Sequence, residues 1–199
     1  GRRKEVSFRE IAPHPALAPY VDRLWARDHG LGPPVAPLRI LPDGCIDLIV
    51  DITAGLEPVK VGAMTRPKPF APTPGTRMVG VRFRPGGALP FLRLAAHEIT
   101  DVVVDLNAIG VRWLSRARWP DDVSPVAALK TLESLLLGRL PETQRPHAIV
   151  ANAVHALFGP SPPTIESRAR DIGWTRQHLR RVVQAHVGLT PALLLRVAR

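Results

Sequence analysis

The chain changes its hydrophobic period along its length. From Leu38 to about Leu92 apolar and polar positions alternate. In "LRILPDGCIDLIVDI" a Pro-Asp-Gly turn precedes Ile46, Leu48 and Val50 on one side, with Asp47 and Asp51 on the other. That period of two places a strand across a half-buried sheet. "VKVGAM" and "RMVGVRFRPGG" follow, separated by the turn-rich "TRPKPFAPTPGT". No run exceeds about eight residues and no helical spacing intervenes, which predicts antiparallel pairing in a small sheet or barrel. Ahead of this region, "PHPALAPYVDRLW" spaces Leu17, Val21 and Leu24 with Trp25 at helical intervals. That spacing predicts a short helix running into a strand.

From Ala95 the pattern lengthens toward 3.6. "AAHEITDVVVDLNAIGVRWLSRA" and "DVSPVAALKTLESLLLGRL" read as helices. In the second, Ser124 is placed to cap the N-terminus, with Pro125 at the first helical position and Leu129, Leu132, Leu136 and Leu137 as the apolar stripe. "RPHAIVANAVHALF" predicts another helix with Ile149, Val150, Val154 and Leu157 inward. "GPSPP", residues 159–163, then interrupts the chain and marks a boundary.

Beyond it, "TIESRARDIGWTRQHLRRVVQAHVGLTPALLLRVAR" reads as helix, tight turn, helix, turn, helix. Thr164 caps the first, with Ile165, Ala169 and Ile172 inward, and Gly173 makes the turn. Thr175 caps the second, which gathers Leu179, Val182, Val183 and His186 on one side. Gln177, Arg180, Arg181 and Gln184 point the other way, with Arg176 beside the N-terminus. Arg and Gln side chains can make paired hydrogen bonds to guanine and adenine edges in a major groove, and a helix N-terminus offers amide donors to a phosphate. The alternative is a solvated helix face.

Charge changes the picture more than composition does. The 199 residues are 45% hydrophobic and 22% charged, ordinary for a chain with a real core, and the net charge is +10. Residues 1–100 carry 14 basic and 9 acidic side chains, residues 101–160 carry 6 of each, and residues 161–199 carry 7 and 2. The excess is densest in the last segment, where phosphate binding would need it. Arginine supplies 23 of the 27 positive charges. No apolar run approaches the roughly 20 residues of a membrane span, and no leader opens the chain, so a cytoplasmic location and no membrane partner are expected.

The C-terminal segment resembles the first helix-turn-helix of the AraC/XylS family of bacterial transcription regulators. The resemblance rests on Ala169 in the first helix, "GWT" at the turn, Leu179 and Arg181 in "LRR", and "VGLTP" from Val187 to Pro191. It implies that the helix beginning at Thr175 lies in the major groove and that the Gly-Leu-Thr-Pro turn leads into a linker helix. Val183 stands where the family usually places Phe. The family carries two such units, whereas this sequence stops at Arg199 inside the linker, so the chain is expected to be a fragment of a longer regulator. "PALAPYVDRLW", "LPDGCIDLIV", "GVRFRPGGA" and "LESLLLGRL" are similar to a domain that precedes AraC-type DNA-binding units in many regulators.

Other chemistry is thinly represented. Cys45 is the single cysteine, which excludes an internal disulfide and multi-cysteine metal centres. It reads as a small buried hydrophobe rather than a sensor thiol. The seven histidines show no HxH or HExxH spacing. "RPGGA", residues 84–88, lacks the GK[ST] ending of a phosphate loop and reads as a turn into a helix. Asp43, Asp47 and Asp51 read as turn and strand-face residues rather than catalytic acids. No catalytic residue, metal site or cofactor is expected, and the chain is not expected to be an enzyme.

The fold class expected is α+β. It comprises a small antiparallel, barrel-like β-rich domain over residues 1–94, a helical connector over 95–160 and a helix-turn-helix over 161–199. The function expected is a DNA-binding transcriptional regulator whose double-stranded DNA partner meets Thr175, Arg176, Gln177, Arg180, Arg181 and Gln184. The front domain would sense a small, partly apolar effector, with Trp25 and Phe83 as pocket residues, or hold a homodimer together. The alternative is a small-molecule-binding or enzymatic β domain whose basic tail is incidental.

Overall fold

The computed structural model describes residues 7–32, 36–53, 57–59, 63–71, 73–102, 104, 111–119, 124–140, 144–158 and 164–197. Seven strands come first: β1 (Ser7–Ile11), β2 (Val21–Asp28), β3 (Leu38–Ile40), β4 (Ile46–Asp51), β5 (Glu57–Val59), β6 (Lys68–Phe70) and β7 (Arg77–Phe83). Five form an antiparallel sheet in the order β1-β2-β7-β4-β5, and β3 pairs with β6 as a separate ribbon. Helices follow, α1 (Leu89–Leu92), α2 (Arg112–Ser115), α3 (Pro125–Leu137), α4 (Gln144–Phe158), α5 (Ile165–Asp171), α6 (Arg176–Val187) and α7 (Pro191–Val197). The architecture is α+β, a β-rich front followed by helices.

Register turns alternation into two different sheet faces. Directly opposed residues share a face, so Ala26–Val79–Val50, Leu24–Val81–Leu48 and Val21–Phe83–Ile46 form three cross-strand rows on one side. All nine are buried, and α3 lies against this face through Ala128, Leu129, Leu132 and Leu136. Phe8–Arg27–Met78, Glu10–Trp25–Gly80–Ile49 and Arg23–Arg82–Asp47 form the rows of the opposite face.

The helical spacing of Leu17, Val21 and Leu24 has a different origin from the one its pattern implies. Only Pro15–Leu17 coil, as one 3-10 turn capped by His14 Nδ1, which accepts from Ala16 N at 3.2 Å. The register of β2 against β7 shifts between Val21 and Arg23. One extra residue therefore separates inward positions, and a bulged strand imitates a helical interval.

The long helix expected from Ala95 is not formed. A 3-10 turn at Ala96–Ile99 ends in an extended Thr100, Asp101 follows with φ 59°, and the next helical residues described are Arg112–Ser115. Residues 103 and 105–110 of that expectation lie outside the described residues. The β-branched run Val102–Val104 disfavours helix. The Asp101 carboxylate also accepts from Thr65 N at 2.8 Å and from the Thr65 hydroxyl, bonds to a distant loop that a helix would break. The apolar residues still turn inward: Ala96, Ile99, Val111 and Leu114 are buried.

α3 begins as expected, with Ser124 Oγ accepting from Ala127 N at 3.2 Å and Pro125 first in the helix. In α4 the expected stripe is rotated. Val150 and Leu157 are buried, but Ile149 is 51% exposed and Ala153 takes the inward place. The "GPSPP" boundary lies outside the described residues.

One apolar core runs from the sheet into the helices at the end of the chain, joining Leu48 and Val81 to Leu179, Val183 and Leu194. One close junction is at Gly188, which ends α6 with φ +82°. Only glycine takes that conformation without cost, and a Cβ there would overlap the Thr100 hydroxyl. That hydroxyl donates to Gly188 O at 2.9 Å.

Candidate nucleic-acid interface and sheet cavity

α5, α6 and α7 form the expected tri-helical unit. Thr164 Oγ1 accepts from Ser167 N at 3.1 Å and Thr175 Oγ1 from His178 N at 3.1 Å, so each hydroxyl satisfies an amide that the first turn leaves free. Ala169 is fully buried where the two helices meet, and Gly173 turns the chain with φ +73°. Trp174 is wedged at the turn, its ring edge-on to His178 at 4.4 Å. Leu179, Val183 and Val187 anchor α6 from beneath. His186 packs on the same side. Its Nδ1 is buried without a partner among the described residues, and burial pushes its pKa down.

The expected DNA-contacting residues come together on the other side. Thr175, Arg176, Gln177, Arg180 and Arg181 are exposed and Gln184 is half-buried. Arg180 Nε donates to Gln184 Oε1 at 3.1 Å, and Arg181 Nη2 lies 2.9 Å from His178 Nδ1. Arg176 and Arg180 also border a shallow groove with Thr190, Pro191 and Ala192. α6 has no acidic residue, so no carboxylate within the helix neutralises its three arginines. The surface has fixed amide and guanidinium donors and unbalanced positive charge, as a polyanion requires.

The two expected pocket residues part company. Phe83 is fully buried in the core, 5.4 Å from the Phe91 ring, because it belongs to the inward row with Val79 and Val81. It lines no cavity. Trp25 lies one position out of phase with the inward residues of β2 and faces a cavity of about 330 Å³ between the open sheet face and the β3–β6 ribbon. The indole lies across Gly80, where any Cβ would overlap its ring. Its Nε1–H donates to Asp47 Oδ1 at 3.2 Å.

Sequence reasoning missed most of this cavity. Asp47 was legible as a polar-face residue, but its partners depend on register. Arg82 Nη1 donates to Asp47 Oδ2 at 3.0 Å and Nη2 pairs with Asp43. Arg23 Nη1 donates to Glu10 at 3.0 Å and Nε to Asp22 Oδ2 at 2.7 Å. Burial pushes the Asp47 carboxyl up to about 6, against the opposing pull of the Trp25 N–H. Arg27, with its guanidinium 5.3 Å from the Phe8 ring centre, is the lining arginine without a carboxylate partner among the described residues.

Two further features carry no site. Burial pushes the half-buried Cys45 thiol up to about 12, so it stays protonated at neutral pH. "RPGGA" forms a turn in which Gly87 N donates to Arg84 O at 2.8 Å, leading into α1. Among the described residues no three His, Cys, Asp or Glu side chains gather as metal ligands, and no helix is long and apolar enough to cross a membrane.

Residues 9–105 match a family described as a domain of unknown function, DUF6597. The match begins within β1, covers the rest of the sheet, the ribbon and α1, and ends before α2. No curated protein and no solved structure matches the chain.

Proposed function

We propose that the chain is a DNA-binding transcriptional regulator of the AraC type, with α6 as the helix that enters the major groove and the β-rich front as an effector-sensing domain. The observation that carries this reading is the construction of α6. A capped, twelve-residue helix is held from below by Leu179, Val183 and Val187 and presents arginines and glutamines without an acid among them. Gln177 and Arg180 are assigned to base edges, where their donors suit paired contacts. Arg176 and Arg181 are assigned to phosphates, which position the helix without reading sequence.

The turn after β3 connects the two parts of this reading. Asp43 reaches Arg82 at the edge of the cavity, and the adjacent Gly44 packs against Leu194 of α7. A ligand that draws Arg82 away from Asp43 therefore shifts the turn on which α7 rests, and α7 follows α6 after a turn of three residues, Gly188 to Thr190.

The test is fluorescence anisotropy of the 199-residue chain with random duplex DNA, followed by binding-site selection. Association is expected to be steeply salt-dependent, and the Arg176→Ala, Arg181→Ala pair should lower the slope of log K against log salt by about 2. Gln177→Ala and Arg180→Ala should each change the selected base at one position, at about 1–3 kcal/mol. Salt-insensitive or absent binding, or selected sites identical for parent and variants, would overturn the reading.

A further inference from the structure

We infer that the cavity over the open face of the sheet takes a small organic monoanion, a carboxylate on a flat or compact apolar body, with Arg27 as the anchor of its charge. The inference deepens the effector-sensing half of the proposed function and rests on it.

The charge of the ligand follows from the pairing of the lining residues. Three arginines and two carboxylates line the cavity. Arg23 is matched by Glu10 and Asp22, and Arg82 by Asp43 and Asp47. Arg27 is the lining guanidinium that no carboxylate pairs with among the described residues. Its Nε is buried without a hydrogen-bond partner among the described residues, so an anion in the cavity meets the terminal Nη1 and Nη2 donors. A guanidinium offers a forked pair of donors that fits a carboxylate. A doubly charged phosphate would place its second charge among pairs whose carboxylates already outnumber their arginines and beside Asp47, which favours a monoanion.

The body of the ligand follows from the walls. The Trp25 indole is fixed flat by the absence of a side chain at Gly80 and by its hydrogen bond to Asp47, so it forms a rigid aromatic floor. Ile49 and Met78 extend that floor, and Ile40 and Phe70 of the ribbon face it. At about 330 Å³ the space is at the small end of ligand cavities, which span roughly 300–1,000 Å³. It accommodates one ring with a short acidic arm and excludes a nucleotide.

The test is isothermal titration calorimetry of the full chain with phenylacetate, cyclohexanecarboxylate and hexanoate. Phenylacetamide serves as the neutral control, phenethylamine as the cationic one and phenyl phosphate as the dianion. At least one acid is expected to bind with Kd of about 1 mM or better, with the amide, amine and phosphate roughly tenfold weaker or more. Quenching of tryptophan fluorescence should accompany binding and disappear in Trp25→Phe. Arg27→Gln should weaken the acid by roughly 10–100-fold with an unchanged melting temperature, and Arg27→Lys should recover part of the loss. Equal binding of acid and amide, silence from all three acids, or full affinity in Arg27→Gln would overturn the inference. DNA association is measured separately, so an anion-silent protein that binds DNA sinks the ligand class alone, and an anion-binding protein indifferent to DNA sinks the regulator reading alone.

Discussion

Arg23 and Arg82 stand on the open face of the sheet with carboxylates at 2.7 and 3.0 Å, whereas Arg176, Arg180 and Arg181 stand on a helix with no acidic residue. The residue type is the same and the electrostatic company is opposite. A paired guanidinium spends its hydrogen bonds on its neighbours, and its field is largely cancelled within a few ångströms. An unpaired one keeps its field to roughly the Debye length, about 8 Å at physiological salt, and keeps its donors for an incoming anion. The sheet's arginines therefore build local structure and leave one guanidinium unpaired, at Arg27. Those of α6 contribute little to local structure and present a charged surface.

Truncating one arginine of each kind should separate these roles most sharply. Arg82→Ala is expected to cost about 2–3 kcal/mol of stability, because it leaves Asp47 facing the cavity without its cation. That is less than the roughly 3–5 kcal/mol for breaking a fully buried pair, since the Arg82 and Asp47 side chains keep 26% and 22% of their surface. Arg180→Ala should stay within about 0.5 kcal/mol of the parent while weakening DNA association. Urea denaturation midpoints read the first effect and anisotropy the second. A stability loss for Arg180→Ala comparable with that for Arg82→Ala would erase the distinction.

Protonating Asp47 should move the sheet face partway toward the condition of α6. Its folded pKa of about 6 lies above the ordinary value of 3.8, so the folded state takes up a proton that the unfolded chain does not yet bind. The cost of burying the carboxylate is fully present above pH 6 and fades as pH falls through 6 toward 4. Between pH 7.5 and 4.5 the parent should therefore gain on the order of 2 kcal/mol relative to Asp47→Asn. Comparing parent with variant at each pH cancels the opposing trend of His29 and His186, whose pKa values burial pushes down. A constant parent–variant difference would show that Arg82 and Trp25 hold the carboxylate ionised throughout.

How much of this was legible in the sequence depended on how local each feature is. The caps at Ser124, Thr164 and Thr175, the turn at Gly173 and the apolar side of α6 follow from residues within one or two helical turns, and the structure places them as expected. The alternation of Ile46, Leu48 and Val50 likewise produced β4. The misreadings all involve partners distant in sequence. Val21 and Leu24 share a face through a bulge that exists only against β7. The helix expected after Ala95 lost to the bonds of Asp101 with Thr65, 36 residues away. Phe83 and Trp25 are both candidate pocket aromatics in the sequence, and only register sends one to each side of the sheet. The Arg82–Asp47 pair, 35 residues apart, left no signal beyond an aspartate in a polar phase.

The smallest expected effect is the one that tests whether pairing removes the sheet's arginines from DNA association. Arg23 carries a full charge on a chain with net charge +10, and a polyanion drawn only by net charge would respond to its loss. Its partners argue otherwise. Glu10 and Asp22 lie within hydrogen-bond distance, so Arg23 already belongs to a cluster whose carboxylates outnumber it. Arg23→Gln should leave the slope of log K against log salt unchanged, since no phosphate contact and no released counterion is lost. Stability should fall by no more than about 1 kcal/mol, because the Arg23 and Glu10 side chains keep 41% and 40% of their surface and exposed pairs contribute little. A slope reduced by about 1, the signature of one lost phosphate contact, would place this face of the sheet on the DNA and require the cavity's charges to be reassigned to the nucleic-acid surface.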